Sequence, residues 1–102
     1  MKNIKKEDLE AISIIINKPG MFAINKVEDF YFFFLGYTFK DEHLSGIMNQ
    51  EFSKYVKEKL KFKDDNAKWY RIIRYYSTND VHSVELFLNL FSNFLGYNDN
   101  PR

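Results

Sequence analysis

The sequence contains no cysteine, only four glycines and two prolines, and no apolar run long enough to span a membrane. The absence of cysteine excludes a disulfide framework, a thiolate zinc site and a cysteine nucleophile. The longest apolar stretch, residues 30–39, falls far short of the ~20 residues that a membrane-spanning helix needs. The N-terminus also lacks the pattern of a signal peptide. These absences predict a cytoplasmic protein that does not contact the membrane.

Aromatic residues, by contrast, are abundant. Eleven Phe, seven Tyr and one Trp make up 19% of the 102 residues. Each ring can bury roughly 150–250 Å². A chain of this length forms one domain, which is too small to bury every ring. Some rings are therefore expected on the surface, where they often serve as anchors for a partner.

Apolar residues recur at helical spacing in five segments. The first ends at Pro19-Gly20, and the second covers residues 27 to about 40 after a capping box formed by Asn25 and Glu28. The aromatic run in the second segment also suits a buried strand, but its length and its caps favour a helix. The other three helices are predicted at about residues 49–60, 67–76 and 81–95, the last ending at Gly96. We therefore predict an all-α, compact single-domain bundle of about five helices over residues 1–102, with a frayed tail at about 97–102.

The net charge of +1 conceals a segregation of charge along the chain. Residues 27–52 contain five acids and one lysine, a net charge of −4, and residues 53–74 contain eight basic and three acidic residues, a net charge of +5. The five acids are Glu28, Asp29, Asp41, Glu42 and Glu51. We name residues 27–52 the acidic block and residues 53–74 the basic block. Such separated blocks indicate surfaces that bind partners of opposite charge.

The basic block interleaves its cations with aromatic rings, a pattern that RNA-binding proteins use. Across residues 54–75 the cations and rings are Lys54, Tyr55, Lys57, Lys59, Lys61, Phe62, Lys63, Lys68, Trp69, Tyr70, Arg71, Arg74 and Tyr75. An RNA-binding module using residues 54–75 is therefore an alternative function. Against it, Trp69 shares one helical face with Ile72, Ile73 and Tyr76, which predicts a core position instead of a stacking platform.

Little in the sequence indicates catalysis. His43 and His82 are far apart, and neither has a second ligand at the spacing of a metal site. Neighbouring carboxylates such as Asp41 and Glu42 point about 100° apart on a helix and form no catalytic pair. The glycines are not clustered into a phosphate-binding loop. We expect no metal, no cofactor and no enzymatic activity, although an enzyme in which one of the histidines converges with carboxylates remains a further alternative.

The order of motifs resembles the small helical immunity proteins of bacterial toxin systems, especially those of contact-dependent growth inhibition. The resemblance covers residues 18–95. It rests on Lys18-Pro19-Gly20-Met21-Phe22, Val27-Glu28-Asp29-Phe30, Phe34-Leu35-Gly36-Tyr37, Phe52-Ser53-Lys54-Tyr55-Val56, Trp69-Tyr70-Arg71-Ile72-Ile73 and the Phe-rich segment from Val84 to Phe94. Immunity proteins that act on basic nucleases are commonly acidic overall, which this chain is not.

The resemblance implies a protein that binds one cognate toxin domain and blocks its active site or substrate surface. In this family the toxin is often a nuclease, and in some systems it cleaves tRNA. The acidic block would then meet the toxin, and the basic block would face away or bind a third protein. Candidate contact residues are Glu28, Asp29, Asp41, Glu42 and Glu51, with Tyr31 and Tyr37 as exposed aromatic anchors.

Overall fold

The computed structural model describes residues 4–63 and 66–96, which form helices and turns and no strand. The α-helices are α1 (Lys6–Asn17), α2 (Val27–Tyr37), α3 (Glu42–Ser45), α4 (Phe52–Leu60), α5 (Trp69–Tyr75) and α6 (Asp80–Leu95). A 3-10 turn, Pro19–Phe22, follows α1, and a π-helical turn, Gly46–Glu51, joins α3 to α4 without a break. The all-α prediction is confirmed. The predicted frayed tail, 97–102, lies outside the described residues.

Two predicted helices have boundaries that differ from the structure by three residues or more. The second helix ends at Tyr37 instead of residue 40, and the backbone leaves the helical conformation at Thr38. The third predicted helix was placed at 49–60, but helical structure already begins at Glu42. It begins there because the Asp41 carboxylate accepts a hydrogen bond from the Leu44 backbone N–H at 3.0 Å.

The predicted capping box of α2 is wrong. The Asn25 backbone N–H donates to Asp29 Oδ2 at 2.8 Å, and the Val27 N–H donates to Ser83 Oγ of α6 at 3.1 Å. Glu28 instead faces Arg74 of α5. The start of α2 is therefore held partly by a residue that lies 56 positions away. At the end of α6, Gly96 adopts the predicted left-handed conformation, with φ of 89°.

Aromatic rings from α2, α4, α5 and α6 form the centre of the core. Phe87 of α6 lies 4.3 Å from Phe30 and 5.2 Å from Trp69 between ring centroids, and Phe52 lies 5.1 Å from Trp69. Trp69 is only 1% exposed, which confirms its predicted core position. The radius of gyration is 13.0 Å, close to the ~13 Å of a compact 100-residue domain. Within the described ranges, no helix is long and apolar enough to cross a bilayer.

Candidate functional site

The seven predicted contact residues do not form one surface. Tyr37, Asp41 and Glu42 lie together at the C-terminal end of α2 and the start of α3. Glu28 and Asp29 lie in the first turn of α2, at the opposite end of that helix. The two remaining residues are Glu51, which is exposed at the end of the π-helical turn, and Tyr31, which is buried.

Carboxylates of α1 lie beside Tyr37. The Tyr37 hydroxyl donates a hydrogen bond to Asp8 Oδ1 at 2.9 Å. Partial burial and this hydrogen bond raise the pKa of Tyr37, and the nearby Asp41 and Glu7 carboxylates raise it further. Asp8 and Asp41 also line one depression of about 200 Å³. We name Glu7, Asp8, Tyr37, Asp41 and Glu42 the acidic surface; sequence reasoning missed its α1 members because they lie outside the acidic block.

Three exposed apolar side chains lie along α2 and in the turn that follows it. Phe32 and Leu35 lie on the outer face of α2, and Phe39, which is 81% exposed, follows in the turn between Tyr37 and Asp41. We name Phe32, Leu35 and Phe39 the apolar stripe. The aromatic run of residues 27–40 predicts a helix but does not by itself show which rings are exposed. Part of the signal was present, because Phe32 and Leu35 are three residues apart and so share one helical face, whereas Phe39 lies beyond the end of α2.

Glu28 and Asp29 have structural partners. Arg74 of α5 donates to both carboxylate oxygens of Glu28, at 2.9 and 2.7 Å, and its Nη2 also donates to Asp80 at 2.9 Å. The hydrogen bond from Arg74 lowers the pKa of Glu28. Asp29 accepts the hydrogen bond from Asn25. Both carboxylates therefore contribute to the packing of the helix ends.

Tyr31 is not an exposed anchor, and that expectation is wrong. It is 7% exposed, and its ring centroid lies 4.3 Å from Tyr70 and 5.4 Å from Trp69. Its burial raises the pKa of its hydroxyl. The sequence pattern could not separate Tyr31 from Phe32, because either ring could face the core until the packing of α2 against α5 and α6 was known.

The basic block is divided by the fold. Arg74 is engaged by Glu28 and Asp80, and the ring of Trp69 is in the core. Three other cations, Lys54, Lys57 and Lys68, line an open groove of about 530 Å³ together with Asn49 and Gln50 of the π-helical turn. We name this the basic groove. The alternative of RNA binding loses Trp69 as a stacking surface, since stacking needs an accessible ring face.

The two histidines lie in different places. His43 lines the depression beside Asp8 and Asp41, whereas His82 is in the first turn of α6, where its Nδ1 accepts a hydrogen bond from the Thr78 N–H at 3.0 Å. Across residues 4–63 and 66–96, no three His, Asp or Glu side chains converge in an arrangement that could hold a metal ion.

Comparison of the chain with models of protein families, with curated proteins and with solved structures finds no match.

Proposed function

We propose that this chain is an immunity protein that binds and neutralises a cognate bacterial toxin domain, a nuclease, by covering its active site or substrate surface. The order of motifs along residues 18–95 supports this function through its resemblance to such proteins. The observation that carries it is the exposure of Phe39, 81%, between Tyr37 and Asp41. A large exposed apolar side chain that precedes a pair of carboxylates in the chain combines an anchor with the charge that a basic cleft attracts.

The acidic surface and the apolar stripe would contribute in different ways. The carboxylates of Asp8, Asp41 and Glu42 would orient the approach to a positively charged nuclease cleft and speed the encounter. Phe39 would then enter a pocket of the toxin and lose its contact with water, which slows dissociation. The hydrogen bond from Tyr37 to Asp8 connects α1 to the end of α2, and Asp8 and Asp41 line the same depression. Neutralisation would require binding alone and no chemical step.

A neutralisation assay tests this proposal. The toxin domain would belong to a large secreted protein encoded immediately upstream of this chain. We expect its expression to stop bacterial growth, co-expression of this chain to restore growth, and the two proteins to copurify as a complex. No relief of a toxic effect by the intact chain would contradict the proposed function.

Two alanine variants locate the interface within that assay. Phe39→Ala should weaken the complex by at least about 2 kcal/mol, the loss typical of an anchoring aromatic residue. Val81→Ala is the matched control, because Val81 is also an exposed apolar residue, 66% exposed, but lies at the start of α6. Equal protection by both variants would exclude Phe39 from the interface.

A further inference from the structure

The basic groove brings together side chains from three separate parts of the chain. Asn49 and Gln50 come from the π-helical turn, Lys54 and Lys57 from α4, and Lys68 from the residue before α5. The groove has a volume of about 530 Å³, within the ~300–1,000 Å³ typical of ligand sites. π-helical turns within helices are rare and frequently occur at functional sites. The groove is therefore a candidate binding site distinct from the acidic surface.

The charges of Lys54 and Lys68 are not compensated by the part of the chain that the structure describes. No carboxylate from residues 4–63 or 66–96 lines it, and within those ranges neither Lys54 nor Lys68 has an ion-pair partner. Two lysines that converge in a concave site produce a local positive potential and attract anionic groups. A ligand of this groove should therefore carry negative charges.

Two of the residues that line the groove carry one hydrogen-bond acceptor and one donor without partners in the described residues. These are Asn49 Oδ1 and the indole Nε1–H of Trp69, both of which are buried. A peptide backbone offers both N–H donors and C=O acceptors, and different groups along it could pair the two atoms. Because both atoms are covered by neighbouring side chains, a ligand would have to displace those side chains as it enters. Buried polar atoms without partners are costly, so pairing them would favour the bound state.

We propose that the basic groove binds an extended acidic peptide segment of a partner protein. Carboxylates of the segment would pair with Lys54 and Lys68, and its backbone would hydrogen-bond with Asn49 and Trp69. A peptide fits better than a nucleic acid, because the rings that line the groove, Tyr31 and Trp69, are only 7% and 1% exposed. The faces of these two rings are not accessible for stacking with bases. This site goes beyond the proposed function and does not depend on the acidic surface.

A fluorescence titration tests the groove directly, because Trp69 is the only tryptophan in the chain and lines the site. The probe is an acetylated and amidated hexaglutamate peptide, compared with hexaglutamine and with hexauridylate. We expect hexaglutamate to change the emission of Trp69 in a saturable manner and hexaglutamine to leave it unchanged. Hexauridylate should bind more weakly than hexaglutamate.

Two double variants separate the groove from general charge effects. Lys54→Gln/Lys68→Gln should weaken the binding of hexaglutamate by about tenfold. Lys59→Gln/Lys61→Gln removes the same charge from lysines that do not line the groove, and it should leave the affinity within about twofold. Equal weakening in both variants would show diffuse attraction instead of a site. Tighter binding of hexauridylate, or no change in Trp69 emission, would also overturn the proposal.

Discussion

Arg74 donates two hydrogen bonds to the carboxylate of Glu28, at 2.9 and 2.7 Å, and so connects α5 to the first turn of α2. The same guanidinium group reaches Asp80 at the start of α6, at 2.9 Å. The side chains of Arg74 and Glu28 are 32% and 25% exposed, so water only partly screens the pair. One side chain thus connects three helix ends, and this connection gives Glu28 a structural role.

We expect Glu28→Gln to lower the free energy of unfolding by about 1 kcal/mol at neutral pH, after allowance for partial exposure. The hydrogen bond from Arg74 lowers the pKa of Glu28 below the ordinary value of 4.5, so the folded state favours the charged carboxylate more than the unfolded chain does. This stabilisation is therefore fully present above pH 4.5 and is lost as the pH falls through the lower pKa of the folded state.

Urea unfolding of the wild type and the variant, near pH 7 and near pH 3, measures this effect. The difference in stability should be present at the higher pH and should shrink at the lower one. Glu85→Gln is the control, because Glu85 is exposed on α6 and should show little difference at either pH. A Glu28→Gln effect of the same size at both pH values would contradict the role assigned to the ion pair.

Local sequence patterns could not have predicted these contacts at Glu28. The residue sits three positions after Asn25, and that spacing predicts a capping box. Its actual partner, Arg74, is 46 positions away. The helices themselves were predictable, because the periodicity of apolar residues reflects burial on one face of each helix. The same periodicity correctly predicted that Trp69 lies in the core. The acidic surface could be predicted only in part. Asp41 and Glu42 were expected from the sequence, but Asp8 joins them through the packing of α1 against the end of α2.

Ser83 should be more important for stability than its type suggests. It is fully buried, and its hydroxyl accepts from the Val27 N–H at 3.1 Å while donating to the Asp80 carbonyl at 2.7 Å. Ser83→Ala would leave the Val27 N–H without a partner in the interior, and we expect a loss of about 1–3 kcal/mol. Ser92→Ala, on the same helix but partly exposed, should cost less than about 0.5 kcal/mol. Thermal unfolding of both variants checks this, and equal stability would contradict it.

Trp69 should be among the residues on which the fold depends most. Its ring contacts Phe52, Phe87 and Tyr31, at centroid distances of 5.1, 5.2 and 5.4 Å. Trp69→Ala would leave a large cavity, and we expect a loss of about 3–5 kcal/mol. Trp69→Phe retains one ring and should lose clearly less. Urea unfolding followed by circular dichroism measures both, and a Trp69→Ala variant as stable as the wild type would show that the ring is not a core element.

The acidic surface should control binding to the toxin with little effect on the fold, provided that the cap of α3 is preserved. Asp41→Lys would remove the acceptor for the Leu44 N–H and cost about 1 kcal/mol of stability. Asn can accept the same hydrogen bond, so the double variant Asp41→Asn/Glu42→Lys keeps the cap. It changes the charge by three units, one at residue 41 and two at residue 42.

We expect this double variant to lose at least about tenfold in affinity for a basic toxin, because attraction is removed at one position and becomes repulsion at the other. Its free energy of unfolding should change by less than about 0.5 kcal/mol, since Glu42 is exposed and the cap remains.

The matched control is Glu58→Gln/Glu85→Lys, which makes the same change of three units on exposed residues of α4 and α6. Binding measurements at low and high salt, with melting temperatures recorded separately, distinguish the outcomes. Equal losses in both variants would indicate that net charge alone attracts the toxin. Full protection by a normally folded Asp41→Asn/Glu42→Lys variant would exclude these carboxylates from the interface.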